Sequence, residues 1–145
     1  MTSQICVDSG LILKLVLNEP DSSLADALWQ DWLVVGRQLV APPLLPVEMT
    51  AVLRKYVYRG TLALEQGFRA LQTALAFDVT LLTFPDLHNR AWQLATQLNR
   101  PTAYDAHYLA LAKILDCEFW TADQRLVNAA QSTLPWVHWL GEFSP

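Results

Sequence analysis

Four acids, Asp8, Glu48, Asp105 and Asp123, each stand where a strand or loop of the sequence is expected to turn into a helix. Their local words are Ile5-Cys6-Val7-Asp8-Ser9, Pro46-Val47-Glu48, Tyr104-Asp105-Ala106 and Thr121-Ala122-Asp123. Gathered at one place, four carboxylates repel, and some are driven to protonate unless cations occupy the space between them. Such an oxygen-only pocket selects Mg²⁺ or Mn²⁺ over zinc, because no Cys/His cluster supplies softer ligands at useful spacing. One or two hard ions lower the pKa of a bound water and neutralise charge on a phosphodiester in its transition state. Phosphodiester hydrolysis is the reaction the pattern implies. Taken singly, each acid has a blander reading: Asp123 as a helix cap, Glu48 and Asp105 as ordinary acids of first helical turns. Asp8, closing a buried strand, is the hardest to explain by packing.

For these acids to meet, the elements must deliver them to one edge. Gln4 to Asp8 reads as a short buried strand, followed by a helix through Leu17 that Asn18-Glu19-Pro20 ends. Leu24, Leu28, Trp29 and Trp32 recur at helical spacing in a second helix that stops near Gly36. Gln38 to Ala41 is a strand, and Pro42, Pro43 and Pro46 precede a helix carrying Glu48, with Gly60 placed as its carboxyl cap. A helix is expected from Ala63 to Ala76, a strand from Val79 to Thr83, and a helix from Pro85-Asp86 to Leu98. After the Arg100-Pro101-Thr102 turn come a helix from Ala103, a strand from Glu118 to Thr121, a helix from Asp123 to Ala130 and a strand from Trp136 to Leu140. Strands alternating with helices predict an α/β fold with a mostly parallel sheet of five strands. In such a sheet the residues just past the strands' carboxyl ends share one crevice, which is where Asp8 and Asp123 fall.

Composition narrows the class further. With 145 residues and 52% hydrophobic content, the chain can bury one substantial core, so a single domain over 1–145 is expected. No basic leader opens the sequence and no apolar run reaches the roughly 18 residues of a membrane span, which predicts a cytoplasmic protein. Cys6 and Cys117 fit no metal spacing and are expected to be buried thiols. The net charge of −4 comes from 14 acids against 10 bases; setting aside the four candidate acids leaves 10 against 10. Acidity is therefore a weak argument against a nucleic-acid partner.

The quoted words resemble those of the PIN-domain nucleases, in particular the VapC-type toxins of bacterial toxin–antitoxin pairs. The likeness runs from the opening strand with Asp8-Ser9, through Asn18-Glu19-Pro20 and the Glu48 helix to Arg59-Gly60. It continues in Tyr104-Asp105-Ala106-His107-Tyr108-Leu109-Ala110-Leu111-Ala112 and Thr121-Ala122-Asp123-Gln124-Arg125-Leu126. The resemblance implies a three-layer α/β/α sandwich, PIN-like, with its five-stranded sheet in the order 3-2-1-4-5 and Asp8 and Asp123 at adjacent strand ends. It also implies Mg²⁺- or Mn²⁺-dependent endoribonuclease activity, with Asp8, Glu48, Asp105 and Asp123 as the acidic quartet, and restraint by a cognate antitoxin. Two positions depart from the family pattern. Gly10 stands where a Ser or Asn is common, and Asp116 where a Gly commonly ends the helix.

On this reading Asp8 and Asp105 are the principal metal ligands, with Asp123 and Glu48 completing the site directly or through water. Ser9 and Thr121 position a carboxylate or phosphate, or serve as turn hydroxyls. Lys55 and Arg59, seven and eleven positions after Glu48, extend about 10 and 16 Å along one helix face at roughly 1.5 Å per residue. With Arg54 they are candidates to hold RNA, or else an ordinary solvated face; Lys14 and Arg125 have weaker grounds. His107 is expected to be a packing or surface residue, and His88 and His138 show no partner spacing. The six tryptophans are expected mainly in the core, with a homodimer or antitoxin surface as the other use. The rivals are a PIN-fold RNA-processing ribonuclease without an antitoxin, and a PIN-fold binding module that has lost its chemistry. Phosphotransfer proteins fit poorly: Gly10 replaces the second acid a dehalogenase-type phosphatase needs, and the strand ending in Thr121 lacks a receiver-type lysine.

Overall fold

The structure, a computed structural model, describes residues 3–145. Five strands form one sheet: β1 (Gln4–Val7), β2 (Gln38–Ala41), β3 (Thr80–Leu81), β4 (Glu118–Thr121) and β5 (Val137–Trp139). Their order is β3-β2-β1-β4-β5, and every neighbouring pair is parallel, as the resemblance implied. Central β1 pairs with β2 through Ile5 and Leu39 and with β4 through Cys6 and Phe119, so the sheet's direction of travel reverses at β1. Ile5, Cys6, Val7, Val40 and Phe119 are fully buried, the continuous apolar reading expected of strands covered on both faces.

Among the described residues seven α-helices link these strands: α1 (Ser9–Val16), α2 (Ser22–Val34), α3 (Leu44–Tyr58), α4 (Leu64–Leu75), α5 (Leu87–Gln97), α6 (Tyr104–Leu115) and α7 (Gln124–Ala130). Trp29 and Trp32 on α2 are buried; Trp32 meets Trp120 of β4 edge-on and Trp29 meets Phe77. Trp120, Trp136 and Trp139 are half-buried against the same core. Trp92, by contrast, is 73% exposed on α5, outside the expected core use. Cys6 and Cys117 are buried free thiols, as expected.

Three boundaries differ from the sequence reading. Strand β3 covers two residues rather than the five from Val79 to Thr83, because only Val40 and Ala41 offer it a paired edge. Helix α3 begins at Leu44, ahead of Pro46; a proline in a first turn removes only an N–H that has no helical acceptor. Strand β5 begins at Val137 and ends at Trp139, after which one 3₁₀ turn (Leu140–Glu142) takes over. The carboxyl caps fall where expected: Gly60 follows α3 with φ +79°, and Asp116 ends α6 in the left-handed region at φ 52°. Gly67 on α4 is needed for a different reason. A Cβ there would lie 2.4 Å from Val57 Cγ2, so α3 and α4 approach too closely for a side chain.

Candidate metal and nuclease site

Asp8 is placed by the step from β1 into α1. It follows the last residue of the strand, takes an extended conformation, and caps α1 by accepting from the Leu11 N–H at 3.0 Å. Its other oxygen accepts a short hydrogen bond from the Thr121 hydroxyl at the end of β4. Thr121 is fully buried, and its oxygen also accepts from the Asp123 N–H at 3.0 Å. Two neighbouring strand ends are thus stitched together by one hydroxyl. Asp123 caps α7, accepting from the N–H groups of Arg125 (3.0 Å) and Leu126 (3.3 Å).

Asp105 lies in the first turn of α6, whose amino end faces the same edge because a crossover helix runs antiparallel to the strand that follows it. Arg100, in the preceding turn, donates from Nη2 to Asp105 Oδ2 at 3.3 Å. Glu48 is a correction to the expectation of a first-turn acid. With α3 starting at Leu44, Glu48 is the fifth helical residue, past the free N–H groups of the helix end. Hydroxyls replace them: Tyr108 of α6 donates to Glu48 Oε1 at 2.5 Å and Ser9 donates to the same oxygen at 3.5 Å.

Electrostatics tie the four acids into one group. Burial pushes the Asp8 carboxyl up to about 7, and the charges of Asp105 and Glu48 push in the same direction against the hydrogen bonds from Thr121 and Leu11. Burial also raises Glu48, opposed by Tyr108 and reinforced by Asp105. Asp105 is raised by burial, opposed by Arg100 and reinforced by Asp123. Burial and the Glu48 charge hold the Tyr108 phenol protonated, which keeps it a donor. Like charges crowded at a half-buried edge are the situation that a divalent cation relieves.

The donor set is oxygen-only and fits a hard cation rather than zinc. Among the described residues, however, no three His, Cys, Asp or Glu side chains are drawn closely enough together to enclose an ion as they stand. Each acid instead faces a protein donor: Thr121 and Leu11 for Asp8, Tyr108 and Ser9 for Glu48, Arg100 for Asp105, and two backbone N–H groups for Asp123.

The substrate-side candidates separate. Arg54, Lys55 and Arg59 are exposed along and beyond the outer part of α3. Lys14 is paired at 3.0 Å with both Glu19 and Asp21. The histidines are partnered across the fold: His88 faces His107, and His138 lies 3.5 Å from Glu118 and 3.6 Å from Glu142. Sequence reasoning passed over Tyr108 and Arg100. The spacing of three residues between Asp105 and Tyr108 is the one local hint, since it places both toward one side of α6.

Comparison with known proteins agrees with this architecture. Residues 5–131 match the PIN domain, and the chain belongs to the PIN domain family. It is 34% identical over 131 residues to a VapC ribonuclease of Mycobacterium bovis and to ribonuclease VapC9 of Mycobacterium tuberculosis, spanning 90% of this chain and 94% of each relative. Its fold is similar to that of a toxin–antitoxin complex chain from Klebsiella pneumoniae, with a TM-score of 0.63 at 17% identity over 92% of this chain and 94% of that one. It is also similar to VapC20 of Mycobacterium tuberculosis, a toxin that cleaves the sarcin–ricin loop, with a TM-score of 0.63 at 16% identity over 87% and 95% of the two chains.

Proposed function

We propose that this chain is a Mg²⁺- or Mn²⁺-dependent endoribonuclease and the toxin of a type II toxin–antitoxin pair, working as one domain over 1–145. The observation that carries the reading is the Thr121 hydroxyl bridging Asp8 and Asp123, with the Asp105 and Glu48 charges acting on Asp8. The naming of the VapC relatives as ribonucleases supports it. Asp8 and Asp105 would hold the ion, with Asp123 and Glu48 completing the set directly or through water. The bound ion would supply an activated water and neutralise charge on the phosphodiester. Thr121 holds the Asp8 carboxyl in place, while Tyr108 and Ser9 orient Glu48. Arg54, Lys55 and Arg59 offer cationic side chains to the RNA backbone.

An antitoxin is the expected partner, and the cleft between α3 and α4 offers it apolar surface: Leu64 is 67% and Phe68 52% exposed beside Leu53 and Val57. A homodimer in the cytoplasm completes the reading; among the described residues no helix is long and apolar enough to cross a membrane. The test is RNA cleavage with Mg²⁺ by the protein and its Asp8→Asn variant. Cleavage that disappears in the variant, with its thermal transition retained, supports the reading; equal turnover rejects it. A second reading, a PIN-fold binding module without chemistry, is favoured by the pairing of Asp105 with Arg100. It would show no cleavage in either protein and no carboxylate-dependent Mn²⁺ binding.

A further inference from the structure

Beside the acidic edge, two imidazoles face each other in a way that neither packing nor the ribonuclease reading uses. His88 is the second residue of α5 and exposed; His107 is the fourth residue of α6 and half-buried. Their rings meet nearly edge to face, centroids 5.1 Å apart, with His88 Nδ1 3.0 Å from His107 Nε2. His107 Nδ1 lies 2.6 Å from the Ala103 carbonyl oxygen. A carbonyl only accepts, so the neutral His107 ring carries its proton on Nδ1 and presents the Nε2 lone pair to His88. A ring nitrogen aimed outward while its other N–H is tied to a backbone carbonyl is the arrangement of a metal-ligating histidine.

We propose that His88 and His107 form a second metal site, chelating a borderline transition ion such as Zn²⁺, Ni²⁺ or Cu²⁺ through His88 Nδ1 and His107 Nε2. Metal–nitrogen bonds of about 2.0–2.1 Å place two ligand nitrogens about 2.9 Å apart at a right angle and about 3.3 Å apart at a tetrahedral angle. The observed 3.0 Å lies in this range, and the two nitrogens now share a hydrogen bond with ring centroids 5.1 Å apart, so each ring turns to aim its lone pair at a shared ion. On binding, the His88 proton moves from Nδ1 to the other ring nitrogen, which frees the Nδ1 lone pair without net proton release. No further His, Cys, Asp or Glu of the described residues completes a cluster of three, so water fills the remaining positions. The ion would clamp the start of α5 to α6, two residues from Asp105. Its ligand preference is the reverse of the carboxylates', and the site stands whether or not those acids hold Mg²⁺.

The chain has three histidines, which makes the test direct. In full-length protein saturated with Mg²⁺, added Ni²⁺ should broaden the imidazole carbon–proton resonances of His88 and His107 at concentrations that leave His138 sharp. Calorimetric Ni²⁺ affinity should fall by more than the roughly 10–100-fold typical of losing a supporting partner in His88→Ala, and stay within twofold in His138→Ala. Uniform broadening of all three rings, broadening of His138 first, or no response in the native protein overturns the proposal. So does undiminished Ni²⁺ affinity in folded His88→Ala. RNA cleavage is not the readout, so a failed ribonuclease reading and a failed histidine site are told apart.

Discussion

The Tyr108 hydroxyl of α6 donates to Glu48 Oε1 of α3 at 2.5 Å, across 60 residues of sequence. Because Glu48 lies beyond the free N–H groups of its own helix, this phenol is the strongest group orienting it. Replacing Tyr108 with Phe keeps the buried ring against Phe119, 6.2 Å away between centroids, and removes only the donor. We expect a stability loss of about 1 kcal/mol in thermal unfolding. Mn²⁺ affinity and kcat should fall, with the KM for RNA nearly unchanged. Native values for all of these would show that the bond has no part in the site.

The buried Asp8 carboxyl gives the chelated protein a pH dependence of defined sign. Its folded value of about 7 lies above the ordinary 3.8, so folding favours the protonated form. That contribution is complete below about pH 4 and is lost as pH rises through about 7, to an extent of up to about 4 kcal/mol. Glu48 and Asp105, both raised by burial, act in the same direction. In EDTA the melting temperature should decline from about pH 5 to about pH 8. The decline should be shallower in Asp8→Asn; parallel curves for the two proteins would contradict this.

Arg100 competes with any cation for Asp105. At pH 8, Arg100→Gln should therefore tighten Mn²⁺ binding up to about fivefold, the scale of a partly exposed ion pair. Calorimetry reads this directly. Weaker binding in the variant would instead make Arg100 a support of the metal-loaded arrangement.

Substrate binding is expected to respond to salt. If Arg54, Lys55 and Arg59 each neutralise one phosphate of single-stranded RNA, replacing all three with Gln should reduce the slope of log affinity against log salt by about 2. A catalytically silent Asp8→Asn background allows the measurement without cleavage. An unchanged slope assigns these side chains to solvent.

The close approach of α3 and α4 makes a fold prediction separate from chemistry. Gly67→Ala puts a methyl 2.4 Å from Val57 Cγ2 and should destabilise the protein by about 1–3 kcal/mol. Mn²⁺ affinity should remain native in the folded fraction. A stabilised variant would mean that the helices part without cost.

The parts of this structure that follow local rules were legible in the sequence. An apolar run closing on Asp8, the Gly60 cap and the alternation of strands with helices all express short-range backbone and burial preferences, while the Asp116 helix end came with the family resemblance. The family words then supplied the sheet order. What was not legible depends on packing between distant segments. Pro46 hid the true start of α3, and with it Glu48's distance from the helix end. Tyr108 and Glu48, like His88 and His107, come from separate helices whose facing rotamers leave no period in the chain. The shortness of β3 reflects the partner edge available to it, which Val79 to Thr83 does not reveal.

Anomalous diffraction from a crystal soaked in Mn²⁺ would locate the ion among the four acids or away from them. A manganese peak is expected at about 2.0–2.2 Å from carboxylate oxygens of Asp8 and Asp105, with Glu48 and Asp123 at the same ion or bound to its waters. Manganese found only away from these four acids, while Asp8 stays on Thr121 and Asp105 on Arg100, would contradict it.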